Sequence, residues 1–504
     1  MRFRALPLVL APLAVAAAPA SGQLISVRTV PISQSHQFDL FPSRTLAMGG
    51  LSIAVTDSLY DPFTNPGKGA RFATSRFFGA PGLYRVSAGA GAGRSLPVGA
   101  LVRSGSWFGG AAVALQQVDL SDLATFALDA PLSCPACNIS PCPACAGLPA
   151  ATRSNGNAYA HGVIGRVFPG TGWSVGGSLS WANLHGIDGV DLLYAGSSRL
   201  KQSGENLDLR LGALKEWSGE RSLSALLLHN RYAATHDVYY LDGFWDPGLQ
   251  QFAQRTRLEE NLDHSNTWGL HLEYAQPLAA TGWRIGGIAT TNLASHPKIP
   301  NYEIQNIPRD PGNSEAFNLG VGLSRSMQGS TVGVDLIYEP IWSYTWADAA
   351  GAVPTANGAT IPAGGKTIEN RFRFSNAIVR MGLGQEIAID QGRQSVGFQL
   401  GLAVHRIDYS LAQRDNVALT SRRLEEDWVE WTPTWGLSLR FPAWELRYRG
   451  SVTNGTGRPG VLGGPVPVAE GPLRGNILVA PSGPLSLSGV RVMAHQVSIS
   501  FPFR

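Results

Sequence analysis

Residues 205–213, ENLDLRLGA, place Leu207, Leu209, Leu211 and Ala213 on one face of an extended chain and Asp208, Arg210 and Gly212 on the other. This period-2 alternation is the signature of a strand with one apolar side. It recurs along the chain. Trp268, Leu270, Leu272 and Tyr274 oppose Gly269, His271 and Glu273; Val332, Val334, Leu336 and Tyr338 oppose Gly333, Asp335 and Glu339. Val396, Phe398, Leu400, Leu402 and Val404 oppose Ser395, Gly397, Gln399, Gly401 and His405. In a soluble sandwich the apolar faces would fill a core about 10 Å thick between two sheets. Here the second face is Gly, Ser and mixed charge, the lining expected of a watery or plugged lumen.

Connection lengths predict the topology. Short connections fall near 103–105, 169–171, 218–220, 277–281, 326–328, 387–392 and 440–443. Long ones fall near 118–156, 185–204, 235–264, 295–313, 342–367, 409–427 and 453–487. Short periplasmic turns alternating with long extracellular loops predict an all-β, transmembrane antiparallel β-barrel of about 14 strands, within a range of about 12–16. Aromatic residues predict two girdles: Trp173, Trp217, Trp283 and Trp444 beside the turns, and Tyr159, Trp181, Tyr338 and Trp428 toward the other strand ends. The C-terminal HQVSISFPFR places His495, Val497, Ile499, Phe501 and Phe503 on one face. An aromatic residue near the terminus resembles the signal such barrels present to their assembly machinery, although Arg504 ends the chain here.

The first residues supply the compartment. Arg2 and Arg4, an apolar run from Ala5 to Ala18 and small residues after it form an export signal, with cleavage expected after Ala20 or Gly22 and no cysteine there to carry a lipid. The run is shorter than the roughly 20 residues a spanning helix needs and is broken by Pro7 and Pro12. The predicted division is a signal peptide over 1–22, an N-terminal segment over 23–70 and a barrel over 71–504, located in a bacterial outer membrane. Removing two arginines takes the net charge from +4 to 4 − 2 = +2. That excludes a nucleic-acid partner needing a basic footprint.

All cysteines lie in the first long loop as two CPAC units, Cys134 with Cys137 and Cys142 with Cys145. The pairs resemble metal knuckles, but only four residues, Asn138–Pro141, separate them, whereas zinc sites of this type usually leave about 12 to 20. An oxidising compartment favours disulfides over metal. Three connectivities are possible; a turn at NISP favours nested Cys134–Cys145 and Cys137–Cys142. Catalytic motifs are missing: there is no G-x-S-x-G, H-E-x-x-H or phosphate loop. His271 with Glu273 is the best catalytic pair, and polar lumen lining is the plainer reading of both. No cofactor is implied. Asp208, Arg210, His271, Glu273, Arg284 and Arg447 are the lumen-facing candidates.

Ahead of the barrel stands SRTLAMGGLSIAVTDSLYDPFTNPGKGARF, residues 43–72. Met48, Gly49, Gly50, Ala54, Asp57, Asn65 and Pro66 resemble the N-terminal motif of the FadL-type outer-membrane transporters of hydrophobic compounds, a superfamily that includes PorV-like secretion components. Gly67 stands where that family has Ala, and Lys68 is an unusual follower. The resemblance implies a monomeric barrel whose N-terminal segment folds into the lumen as a hatch. It also implies passive uptake of a hydrophobic small molecule, a long-chain fatty acid or similar, with lateral release past a gap in the wall. Glycine-rich residues 104–115, with Gly109 and Gly110, are the gap candidates because Gly weakens a strand. The expected surroundings are outer-membrane lipid, lipopolysaccharide and the barrel-assembly machinery. Two other functions stay open: a PorV-like barrel that docks secreted or surface proteins, and an outer-membrane lipid hydrolase.

Overall fold

The computed structural model describes residues 36–119, 154–188, 190, 199–218, 220–246, 248, 250–278, 282–296, 312–349, 351–389, 393–459 and 487–503. The predicted signal peptide and all four cysteines lie outside them. The described chain is all-β apart from short helical turns in its first forty residues and at Ser87–Gly89.

The wall opens with β1 (Arg76–Gly79) and β2 (Gly82–Val86), followed by β3 (Ala92–Ser104), β4 (Trp107–Asp119), β5 (Ser154–Phe168) and β6 (Trp173–Leu184). It continues through β7 (Arg199–Glu216), β8 (Ser222–Asp246), β9 (Gln251–Leu278), β10 (Trp283–His296), β11 (Gly312–Met327) and β12 (Ser330–Asp348). A two-stranded ribbon, β13 (Val353–Pro354) and β14 (Thr360–Ile361), interrupts it. The wall then resumes as β15 (Lys366–Ile389), β16 (Gln394–Asp415), β17 (Thr420–Arg440), β18 (Glu445–Pro459) and β19 (Leu487–Pro502). From β3 onward each wall strand pairs antiparallel with the next wall strand in sequence, and β3 and β19 each pair with both β1 and β2, so the sheet closes on itself.

β1 and β2 are one wall strand. Both keep one register against β19 and one against β3, and only Ala80–Pro81 separates them. Counted so, the described residues form a closed barrel of 16 strands rather than about 14. The missed hairpin lies at 76–104. Pro81 and Pro97 read as strand breakers, and its connection is Ser87–Gly91 rather than a long loop. Two expected loops are also mostly strand: β8 and β9 run through 235–264 apart from a short connection, and β16 and β17 leave only 416–419 between them.

Alternation builds the wall inside out. Leu209, Leu211, Trp268, Leu272, Val332, Leu336 and Leu400 are all more than 40% exposed, whereas Asp208, Arg210, His271 and Asp335 are no more than 9% exposed. The apolar face therefore points outward and the polar face inward. At the turn end, Gln328 and Gly329 both have positive φ (47° and 82°), the mirror-image turn whose twist suits a two-residue hairpin between Met327 and Ser330. Trp173, Trp217, Trp181 and Tyr338 point outward. Tyr159 and Trp428 point inward instead, onto Gln116 and Glu430, which corrects their place in a girdle.

The alternation reverses higher up. On the inner face Ala316 of β11, Ile341 of β12, Phe372 and Phe374 of β15, and Ile407, Tyr409 and Leu411 of β16 form one buried apolar cluster, with Leu424 and Trp428 of β17 against it. On the outer face of the same strands stand Arg371, Arg373, Arg406, Asp408, Glu425 and Asp427. This polarity, opposite to that lower down, is why these stretches read as loops.

Candidate functional site

The site is built by residues 36–75, which lie against the inner face of the wall. Their fold is organised by Asp57. Its Oδ2 accepts from Ser43 Oγ (2.6 Å), Arg44 N (2.5 Å) and Thr45 N (3.1 Å), and its Oδ1 from Leu59 N (3.1 Å) and Tyr60 N (3.2 Å). One buried carboxylate thus satisfies backbone donors on both limbs of the segment, which would otherwise be unpaired away from water.

Met48, Gly49 and Gly50 make a backbone-on-backbone seat. Gly49 and Gly50 have φ of 71° and 75°, and a Cβ on Gly49 would lie 2.7 Å from Met381 O. Gly49 needs both its freedom and its lack of a side chain. Its N–H donates to Thr434 Oγ1 (2.9 Å), which itself donates to Ala47 O (2.8 Å). Beyond it, Asp335 Oδ2 accepts from Ser52 N (2.8 Å) and Ile53 N (3.3 Å), Arg380 Nη1 donates to Gly50 O (3.2 Å), and Ser324 Oγ donates to Ala54 O (2.8 Å). Ile53 packs with Ile288 and Ile337, and its carbonyl lies over Gly286.

Asn65 and Pro66 hold the other end. Asn65 Oδ1 accepts from Gly67 N (2.9 Å) and Nδ2 donates to Ala225 O (3.2 Å), so one amide sets the turn and ties it to β8. Ser174 Oγ donates to Gly67 O (2.9 Å), and a Cβ on Gly67 would lie 2.8 Å from Ala213 N. Phe63 and Phe72 enter a buried cluster with Phe78, Leu101, Phe108, Ala112 and Val163, and Phe41 stacks on Phe63 at 4.0 Å. Burial of each such ring stabilises the docking by roughly 1.5–3 kcal/mol.

These contacts reach every wall strand. The strands not yet mentioned are met by Arg103 on Ala70 O and Phe72 O, Gln116 on Gln37 O, Phe63 against His161, Arg210 on Thr64 O, Lys68 on Glu273, Gln399 on Arg44 O, Arg449 on Asp39, and Gln496 on Asp39 O.

The lumen-facing candidates occupy separate places. Arg210 pairs with Asp208 on β7 (2.6 and 3.2 Å) and donates to Phe63 O and Thr64 O (3.3 and 2.9 Å). On β9, Glu273 Oε2 receives Lys68 Nζ at 2.6 Å and lies 3.7 Å from His271 Nε2, while His271 Nδ1 meets Thr290 Oγ1 at 2.8 Å. Glu273 is committed to Lys68, and Thr290 is 2% exposed. Arg447 pairs with Glu445, which Arg44 also reaches at 3.4 Å. Arg284 stands apart, its Nη2 on Ser222 Oγ (3.1 Å). Gly109 and Gly110 are paired on both sides, to Val102 and Leu101 of β3 and to Ile164 and Val163 of β5, so the ladder is unbroken there.

A cavity of about 370 Å³ lies between the segment and the wall, lined by Thr45, Tyr60, Lys68, His271, Arg380 and Arg449 among others. At its edge, burial would raise the Asp39 carboxyl, but Arg449 and His36, each 3.0 Å away, outweigh it and hold it well below the usual carboxylate range. Burial, with the charge of Asp39 nearby, pushes the Tyr60 hydroxyl up to about 12. Asp335, Arg380, Thr434 and Arg449 were not singled out from the sequence. Their signal was their place on the polar side of the alternation, which becomes selective only once the register is known.

No protein-family model and no curated protein matches the chain. Among solved structures it is similar to a FadL homologue of Pseudomonas aeruginosa, at 10% identity over 92% of this chain and 99% of that one, with a TM-score of 0.42. It is similar to the toluene transporter TodX of Pseudomonas putida at 10% identity, over 91% and 97% of the two chains, with a TM-score of 0.39. A bacterial polysaccharide outer membrane secretin stands at 6% identity, over 86% and 99%, with a TM-score of 0.40. Likeness at this level, spread over barrels of different roles, assigns no function.

Proposed function

We propose that this chain is an outer-membrane channel for passive uptake of hydrophobic or amphipathic small molecules, with residues 36–75 as a hatch across its lumen. The observation that carries the reading is the reach of this one segment to all sixteen strands, from Arg103 of β3 to Gln496 of β19. A tail with so many buried bonds to the wall has the anatomy of a closure. The inner cluster of Ile341, Phe372, Phe374, Ile407 and Leu411 supports an apolar ligand class. Ile407 stands four residues further up β16 than Ala403, which lines the cavity, or about 13 Å along the strand. An amphiphile that parted these packed side chains would have its apolar part held above the polar cavity.

A weak place in the wall lies at Pro81 and Pro97 rather than at Gly109 and Gly110. Val497 N donates to Pro81 O and Ala80 N to Pro97 O (both 2.9 Å), but neither proline has an N–H to return the bond. Two successive ladder bonds are thus missing on either side of one strand, and lateral release is assigned there. Uptake of a fluorescent fatty acid by cells with and without the barrel tests the proposal. No difference in uptake, together with a protein partner recovered in stoichiometric amount, would favour the docking function instead.

A further inference from the structure

We propose that the outward face of β12 and β15, just beyond the apolar band, docks a phosphorylated glycolipid of the outer leaflet. Its phosphates would lie on Arg371 and Arg373 and a sugar ring on Trp342 and Tyr344. This rests on the outer-membrane reading and adds a site to it. Register places Trp342 opposite Arg373 and Tyr344 opposite Arg371, so two guanidinium groups and two rings form a compact square on one face. Arg371 Cζ is 5.5 Å from the Tyr344 ring centroid, and Lys366 Nζ is 4.7 Å from that ring and 4.4 Å from the Trp346 ring.

Charge separates this square from its surroundings. Arg406 pairs with Asp408 and Asp427, and Arg423 with Glu425. The nearby Glu369 is engaged by the Tyr344 hydroxyl and by Asn416 (3.1 Å). Arg371 and Arg373 are exposed and make no ion pair within 4 Å among the described residues, with Glu369 in electrostatic reach of Arg371 and Asp408, Glu425 and Asp427 lining a groove beside Arg373. Guanidinium groups whose planar fork is not taken up by a direct carboxylate contact suit phosphate.

Height and polarity select the ligand class. Below the square on the same face are Leu336 and Tyr338 of β12 and Met381 and Leu383 of β15, each at least 42% exposed. These would take acyl chains. Arg373 stands four residues beyond Ala377, the partner of Tyr338, or about 13 Å along a strand tilted by about 45°. The tilt leaves about 9 Å of height, a little beyond the roughly 5–7 Å of headgroup region above the hydrocarbon, which favours a phosphorylated sugar over a glycerophospholipid phosphate.

Binding to the purified full-length barrel tests the site. The probes are bisphosphorylated lipid A, its dephosphorylated form and a deacylated phosphorylated oligosaccharide. Arg371→Gln with Arg373→Gln should weaken lipid A binding about tenfold or more while leaving the dephosphorylated form unchanged. Trp342→Ala with Tyr344→Ala should weaken both lipids. Equal affinity of wild type and the arginine variant for lipid A would overturn the proposal, as would wild-type binding indifferent to the phosphates. Oligosaccharide binding as tight as that of lipid A would overturn the lipid assignment in favour of a soluble anion. Heat-modifiable migration confirms that each variant is folded. An unchanged affinity in a folded variant sinks this site alone; recovery of the chain outside the outer-membrane fraction sinks the reading beneath it.

Discussion

Lys68 crosses from the N-terminal segment to Glu273 on β9, and replacing it by Met removes one half of a buried ion pair. The two side chains are 8% and 12% exposed and 2.6 Å apart. Lys68→Met leaves the Glu273 carboxylate buried with His271, at 3.7 Å, as its nearest remaining partner among the described residues, and takes a second cation, 4.0 Å away, from Asp61, which keeps Arg71 at 3.2 Å. Breaking such a pair from one side costs about 3–5 kcal/mol, because the remaining charge is left desolvated. Both partners are docked only when the segment is seated, so the cost falls on seating. The ratio of unseated to seated segment should rise between about a hundredfold and a few thousandfold, at roughly 1.4 kcal/mol per tenfold. Planar-bilayer recordings should then show more frequent openings to small ions, with heat-modifiable migration unchanged because the wall ladder is untouched. Adding Glu273→Gln removes the stranded charge, so the double variant should return most of the way to wild type. Closed wild-type behaviour in Lys68→Met, or a double variant as leaky as the single one, would refute the reasoning.

Asn65→Ala with Pro66→Ala should lose about 1–2 kcal/mol from the turn at Gly67 and raise leakage while leaving assembly intact; conductance equal to wild type would make that turn a mere connector. Pro81→Ala with Pro97→Ala restores donors to the carbonyls of Val497 and Ala80. It should raise thermal stability by about 1 kcal/mol per bond and slow probe uptake, and unchanged uptake would move the exit elsewhere. For the cysteines, mapping of unreduced peptides should recover Cys134 with Cys145 and Cys137 with Cys142, whereas four alkylatable thiols in fresh protein would count against bridging.

The sequence made the barrel legible where one face of a strand is apolar and the other polar. In ENLDLRLGA or GLHLEYA a two-residue period is enough to tell strand from loop and outside from inside. It was misleading in two places, each for a physical cause. At 76–104 the prolines and small residues hid a hairpin that keeps perfect register across Pro81. In β15 to β17 the outer residues are charged and the inner ones apolar, so strands that continue past the outward apolar band read as loops. Of the site, the Gly49–Gly50 and Asn65–Pro66 elements stood out through their resemblance to the FadL-type N-terminal motif, a resemblance carried by a short run of neighbouring residues. Asp335, Thr434 and Arg449 did not, because each acts on a segment more than 280 residues away, and no local pattern carries that information.

On the proposed outer-membrane reading, the reversal of polarity along β12, β15 and β16 gives the molecule a waterline. Below it, sliding outward would lift Leu336 and Leu383 into solvent; above it, sinking would draw Arg373 and Asp408 into hydrocarbon. A buried arginine costs about 2–4 kcal/mol at the bilayer midplane and about 0–1 near its edge, so the first ångströms of travel are cheap and each further one is dearer. Several strands share this restoring force around one flank, and it acts on depth and tilt together. A bilayer thinned or thickened around the barrel would therefore be expected to adjust to the protein, and the lipids at this flank, rather than the wall, would carry the mismatch.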